Sequence, residues 1–211
     1  MSILTLPEKQ LAQEIIEAGY VSAARSFSSV AQQQVTIETS GIKVAPFTEE
    51  DFSVKETGVL TLITTEIIGD IQGKSFLLLT ESECKAMFDT CLPPGEPSEE
   101  RRLMEEAILK ELDNIISAAV ITESSNVLQV SIYGDVPKLV EGTAEEVQLT
   151  VLNDFTDSSD SDICLFANTR FSFEQNTTLQ PRFFWKFHQN FVDSIKEQAN
   201  TLEQHRQLPN S

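Results

Sequence analysis

Glu111 and Asn114 stand three residues apart in "ILKELDNIISA", residues 108–118. A carboxylate accepts hydrogen bonds and pairs with cations, whereas an amide both donates and accepts without titrating. Three apart on a helix, two such side chains approach the same point. Ala107 and Ala118 lie above and below them on the same flank. Two small residues around an acid and an amide leave room for another protein's backbone. An acid and an amide on a solvated helix face are also common with no role at all, so the surrounding elements have to decide.

The helix that carries them is expected over about 98–123. "PPGEPSEE" (93–100) breaks the chain before it, because proline cannot continue a helix, and Ser98 can cap the next one. At about 100° per residue, Met104, Ile108, Leu112, Ile115, Ile116 and Ala119 form an apolar core stripe. Glu106, Lys110, Asp113 and Ser117 lie opposite or to one side of it. Glu111 and Asn114 share the other flank.

Upstream, residues 7–31 are expected to form a helix, with Pro7 in its first turn and Ile16, Tyr20, Ala23, Phe27 and Val30 on one face. "QVTIETSGIKV" (34–44) alternates and reads as a strand, and 45–56 as a loop. Residues 58–80 read as a hairpin turning at Gly69-Asp70 and Gly73. Thr80 with Glu83 is a capping-box signature that opens a short helix, 81–92, with Cys84, Met87, Phe88 and Cys91 inward. Downstream, strands are expected at about 127–133, 146–155 and 162–168, the last two around the acidic turn "TDSSDS". A C-terminal helix is expected to start near Pro181.

The order helix, strand, hairpin, helix thus occurs twice. "SAA" recurs at 22–24 and 117–119, and "QVTI" at 34–37 echoes "QVSI" at 129–132, with the same spacing. These readings predict one α+β domain over 1–180, in halves of about 1–92 and 98–180 that share a sheet. Residues 181–211 are expected to be a helical extension. Phe184, Phe187, Phe191, Ile195 and Leu202 would form its apolar stripe, packed on the domain or at a homodimer interface.

The composition is that of an ordinary globular chain, 40% hydrophobic and 23% charged. Its 33 acidic and 15 basic residues give a net charge of −18, which argues against nucleic acid and anionic membrane surfaces as partners. The first twenty residues lack the basic start of a signal peptide, and no run of about 18 apolar residues could span a bilayer. Three cysteines are too few and of the wrong parity for a disulfide framework. A reduced, cytoplasmic protein is expected.

Pro137, separated from Asn114 by 22 residues and inside "GDVPKLVEG", completes a longer pattern. Glu-x-x-Asn, 22 residues, then Pro resembles the signature of the CheC/CheX/FliY family of chemotaxis phosphatases. "EIIGDIQGKSFLLLTESECKAMFDTCL" and "EEAILKELDNIISAAV" resemble the hairpin, short helix and active helix of the CheX branch, and the likeness covers about residues 8–173. The resemblance implies a CheC-like fold: a central, mostly antiparallel sheet, two long helices on one face, and pseudo-twofold halves. It implies a phosphorylated response regulator of CheY type as substrate, with a CheD-like modulator as a further partner. It implies Glu111 and Asn114 as the catalytic pair, with Ala107, Ala118 and Pro137 at the docking surface. Asn114 would orient the attacking water, and Glu111 would pair with a lysine of the regulator. No cofactor of its own is implied, since the divalent metal belongs to the regulator.

The chain departs from the pattern twice. Ala107 stands where the family has Asp or Ser. The first half offers Glu14-x-x-Glu17, with Ser40 in place of the proline. A second carboxylate would repel a phosphoryl group, so a single-site arrangement is expected. His188 and His205 read as surface residues, Cys84 and Cys91 as core thiols, and "DFTDSSDSD" (154–162) as a solvated turn rather than a calcium loop.

Overall fold

Thr5 and Glu8 start the first helix: the Glu8 carboxylate reaches back to the Thr5 N–H at 2.6 Å, and Pro7 occupies the first turn. This computed structural model describes residues 4–46, 58–156, 162–174 and 178–207. The elements are α1 (Leu6–Ala31), β1 (Val35–Ala45), β2 (Val59–Gly69), β3 (Gly73–Thr80), α2 (Glu81–Cys91) and α3 (Glu99–Leu128). There follow β4 (Ile132–Gly134), β5 (Lys138–Thr143), α4 (Ala144–Thr156), β6 (Ile163–Phe173), β7 (Thr178–Leu179), β8 (Arg182–Phe187) and α5 (Gln189–Gln207).

One antiparallel sheet runs in the order β1-β6-β8-β3-β2-β4, with β5 also on β2 and β7 on β6. The order is symmetric about the β3–β8 seam. Hairpin β2–β3 answers β6–β8, β1 flanks β6 as β4 and β5 flank β2, and α1 answers α3. The fold is therefore α+β with two long helices against one face, as expected. The main core lies between that helical layer and the sheet, built from Ile15, Tyr20, Phe27, Leu112, Ile116, Trp185, Phe187 and Phe191, among others.

The two halves repeat at a different spacing from the one their short sequence echoes share. Gln32 and Gln129 cap α1 and α3 in the left-handed conformation, φ 52° and 56°, and their N–H groups bond Ser28 and Ser125. Both pairs are 97 positions apart (129 less 32, 125 less 28), whereas the echoes are 95 apart. In the 97-residue register, Glu14 and Glu17 answer Glu111 and Asn114.

Three expected elements are corrected. Residues 127–133 are mainly the end of α3 and a turn, so β4 is three residues long. Residues 146–155 are helix rather than strand. Thr143 and Glu146 form a reciprocal capping pair (Thr143 N–H to Glu146 Oε2, 2.8 Å; Glu146 N–H to Thr143 Oγ1, 3.3 Å). Val147, Val151 and Phe155 then bury one face of α4 against Leu60, Leu62, Phe76 and Phe184, on the side of the sheet away from α1 and α3. Residues 182–187 are strand β8, hydrogen-bonded to β3 and β6, so the helix begins at Gln189 and not near Pro181. Phe184 and Phe187 therefore point to opposite faces of the sheet. With Phe191 and Ile195 they are consumed by the chain's own core, while Leu202 stays exposed. Residues 157–161 of the expected acidic turn lie outside the described residues. Asp154 and Asp162 at its ends are held by side chains of neighbouring strands and turns: Asp154 Oδ1 lies 2.7 Å from Lys74 Nζ, and Asp162 Oδ2 lies 3.0 Å from His188 Nδ1 and 3.8 Å from Lys186 Nζ. Among the described residues, no helix is long and apolar enough to cross a membrane.

Candidate functional site

Ser98 caps α3 through the Arg101 N–H at 3.0 Å, and Ile108, Leu109, Leu112, Ile116, Val120 and Ile121 are buried along it. Ile115 and Ala119 are only partly buried, and Met104 is exposed. The core stripe is rotated from the expected one, so that Asp113, Ser117 and Ser124, not Met104, face inward. The two serines tolerate burial because each hydroxyl bonds the carbonyl four residues back, Ser117 to Asp113 and Ser124 to Val120.

Glu111 and Asn114 are exposed, on the flank expected of them. They line an open cleft of about 350 Å³ with Ala107, Lys110, Gly134, Asp135, Val136 and Pro137. The residues from 134 to 137 form its second wall, at the connection from β4 to β5. Two hydrogen bonds shape that wall: Asp135 N–H to the Glu66 carbonyl of β2 (2.9 Å), and Val136 N–H to Asp135 Oδ1 (2.7 Å). Ala107, Glu111, Asn114 and Pro137 thus come together across 22 intervening residues. Ala118 lies apart from them. It lines a neighbouring groove between α1 and α3 with Ser22, Ser26, Thr122 and Glu123, and Asn114 borders both depressions.

Lys110, Asp135 and Val136 are cleft residues that sequence reasoning missed. Lys110, expected off this flank, reaches Glu106 with its ammonium at 2.6 Å and holds that carboxyl below its ordinary range. Val136, which lines the cleft, is 73% exposed. The cleft lining therefore joins apolar Ala107, Val136 and Pro137 to the polar Lys110, Glu111, Asn114 and Asp135. Among the described residues no three His, Cys, Asp or Glu side chains converge to hold a metal ion.

Directly behind Asn114, Asp113 is fully buried, a correction to its expected place off the core stripe. Its Oδ2 accepts a 2.6 Å hydrogen bond from Thr65 Oγ1 of β2. Burial pushes its carboxyl up to about 6, with the Thr65 bond pulling the other way. Tyr20 of α1 lies nearby and is raised far above its usual range by burial, with the Trp185 indole opposing the shift. Asp113 Oδ1, Tyr20 Oη and Trp185 Nε1 all lack a hydrogen-bond partner of good geometry. Cys84 and Cys91 are free, with burial raising both thiols, and Cys91 reaches about 11. Those thiols are poor nucleophiles, in keeping with core residues. His188 is not on the last helix but joins β8 to α5. The His205 side chain lies outside the described residues.

No family model and no curated protein matches the sequence. Solved structures do match. FliY of Thermotoga maritima superposes with a TM-score of 0.69 at 16% identity, over 94% of this chain and 98% of that one. FliM in the FliM–SpeE complex of H. pylori gives 0.60 at 12% identity, over 97% and 99%. The CheX–CheY–BeF3–Mg+2 complex of Borrelia burgdorferi gives 0.51 at 16% identity, over 82% and 97%. At these identities the likeness is one of fold, and the chain has the fold that CheX, FliY and the FliM middle domain share.

Proposed function

We propose that this protein accelerates hydrolysis of the aspartyl phosphate of a CheY-type response regulator, in chemotaxis or a related two-component pathway. The observation that carries the reading is the convergence of Glu111, Asn114 and Pro137 on one exposed cleft. An aspartyl phosphate is already activated, and the regulator brings its own divalent metal. What hydrolysis lacks is a water held in line with the departing carboxylate. Phosphoryl transfer depends mainly on positioning and charge neutralisation. The Asn114 amide can both accept from and donate to that water without changing charge. Glu111 pairs with a regulator lysine, which fixes register as the two surfaces meet. The exposed Val136 and the Pro137 beside it supply apolar contact within the cleft. The test is the decay of a CheY-type receiver phosphorylated with acetyl phosphate. This protein should shorten its lifetime, and Asn114→Ala should not.

A second reading keeps the docking and loses the catalysis. Ala107 favours it, since it leaves the cleft without the Asp or Ser of the resembled pattern, and so does the fold shared with FliM. In this reading a beryllofluoride-loaded receiver binds, yet its phosphorylated form decays no faster. Under the first reading, Ala107→Asp should raise the decay rate by about threefold, the scale of one exposed polar contact. Under the second it changes binding alone.

A further inference from the structure

Both walls of the cleft hang from two consecutive residues of β2. Thr65 holds the α3 wall through its hydroxyl, 2.6 Å from Asp113. Glu66 holds the loop wall through its carbonyl, 2.9 Å from the Asp135 N–H. The same Thr65 side chain also abuts the loop wall: a Cβ placed on Gly134 would come within 3.4 Å of Thr65 Cγ2 and 3.2 Å of Ile121 Cδ1. Position 134 therefore has little spare room, and Thr65 touches one wall with its hydroxyl and backs the other with its methyl.

Asp113 is a poor choice for stability alone. It is fully buried with one carboxylate oxygen unpaired, beside the buried Tyr20 on α1. An apolar residue would spare the desolvation of that group. A side chain that burdens the fold directly behind a candidate site points to function.

We propose that Asp113 and Thr65 are positioning residues: their hydrogen bond fixes the rotation of α3 on β2, and with it the placement of Asn114 against the Asp135–Pro137 wall. This deepens the phosphatase reading and rests on it for its kinetic consequence. Neither residue touches the regulator. They act by limiting where the amide can sit, and a displacement on the order of 1 Å at a reacting centre can cost about 100-fold in rate.

The decisive variant is Thr65→Val/Asp113→Leu, which replaces both partners by apolar side chains of similar bulk. Exchanging both partners is near neutral or stabilising, so this variant should melt no lower than the wild type. A role in stability alone then predicts an unchanged enzyme. Positioning predicts a maximal decay rate of the phosphorylated receiver at least about tenfold lower, with the half-saturating concentration changed by less than about threefold. Thr65→Ser, which keeps the hydroxyl but loses the methyl that backs the loop wall, should retain more of the rate than Thr65→Val. Amide exchange is read in parallel and needs no substrate. The amides of α3 around residues 110–117 should exchange faster in the double variant than in the wild type, whereas the Asp135 amide, still bonded to the Glu66 carbonyl, should not. A stable double variant with wild-type rate and wild-type exchange would overturn the proposal. If the wild type accelerates no receiver, the phosphatase reading fails by itself. Exchange over residues 110–117 of α3 then decides the staple: faster exchange upholds it, and unchanged exchange overturns it.

Discussion

The α1 flank around Glu14 and the α3 flank around Glu111 hold equivalent places in the two halves, 97 residues apart, and meet different surroundings. On α3, Ala107, Glu111 and Asn114 face the wall at 134–137 across an open cleft. On α1, Gln10 and Glu14 border instead a depression made with Ala199, Leu202 and Glu203 of α5. The pseudo-twofold also matches α2 to α5, but α5 has 19 residues and α2 has 11. The extra turns bring α5 alongside α1, where the short α2 leaves the matching flank of α3 open. One half has therefore kept a reachable flank with an amide, and the other a second acid beside a helix. The lesson is that equivalent helix faces can meet different walls, a loop across from α3 and a helix beside α1.

The sharpest way to break this comparison is to alter each flank in turn. Asn114→Ala should reduce stimulated receiver decay by at least about 100-fold, the usual cost of a lost positioned hydrogen-bonding group. Its thermal midpoint should stay near wild type, since the side chain is exposed. Glu17→Ala, at the equivalent place on α1, should leave the decay rate unchanged. Equal losses from the two variants would mean that both flanks work.

A second contrast lies behind the flanks. Ile16 of α1 is apolar where α3 has Asp113. The Asp113 carboxyl is raised to about 6 from 3.8 by burial. Between those values the folded chain keeps a proton that the unfolded chain has lost. Stability from this residue is thus fully present below about pH 4 and is lost as pH rises through about 6, a loss of roughly 3 kcal/mol. Asp113→Asn should lack that loss. Urea unfolding at about pH 5 and about pH 7.5 should show the gap between variant and wild type widening with pH, in favour of the variant. A constant gap would mean that Asp113 does not titrate in this window.

What the sequence disclosed follows the same divide. The Glu111–Asn114 flank was legible because helical spacing alone puts the two side chains together, and Pro137 supplied the loop. Asp113 was not legible. A carboxylate reads as surface, and the hydroxyls that let Ser117 and Ser124 accept burial bond within their own helix and leave no trace in residue spacing. α4 was misread because "VQLTV" alternates as a strand does, while Val147, Val151 and Phe155 also recur at helical spacing. The Thr143–Glu146 pair, the same signature that opens α2 at Thr80–Glu83, was the available sign. β8 was absorbed into the helix after it. A central strand covered on both faces shows no alternation, and Phe183, Phe184 and Trp185 run on without a break.

The join between the two flanks gives a smaller effect. Gly19 on α1 lies so close to α3 that an added Cβ would fall 2.6 Å from Val120 Cγ2 and 2.8 Å from its Cα. Backbone atoms cannot give way as a flexible side chain can. Gly19→Ala should force the two helices apart and cost about 2 kcal/mol, seen as a lower urea midpoint. The cleft lies on the far side of α3, so receiver decay per folded molecule should fall less than in Asn114→Ala.

The smallest expected effect is the most pointed. Glu17→Asn gives α1 the acid and amide of α3 at the same spacing, with Glu14 as the acid and the new amide three residues on. Residue type alone would then predict a second site and a doubled rate. The surroundings predict otherwise: the α1 flank keeps α5 beside it, and Ser40 stands where the other half has Pro137. The substitution is exposed and should shift stability by less than about 0.5 kcal/mol. Combined with Asn114→Ala, it tests the α1 flank alone. If the double variant recovers any stimulated decay, an amide at the right helical spacing is sufficient and the opposite wall is dispensable. If it stays inactive while folding normally, the wall at 134–137 is what separates a working flank from an ordinary pair of polar side chains.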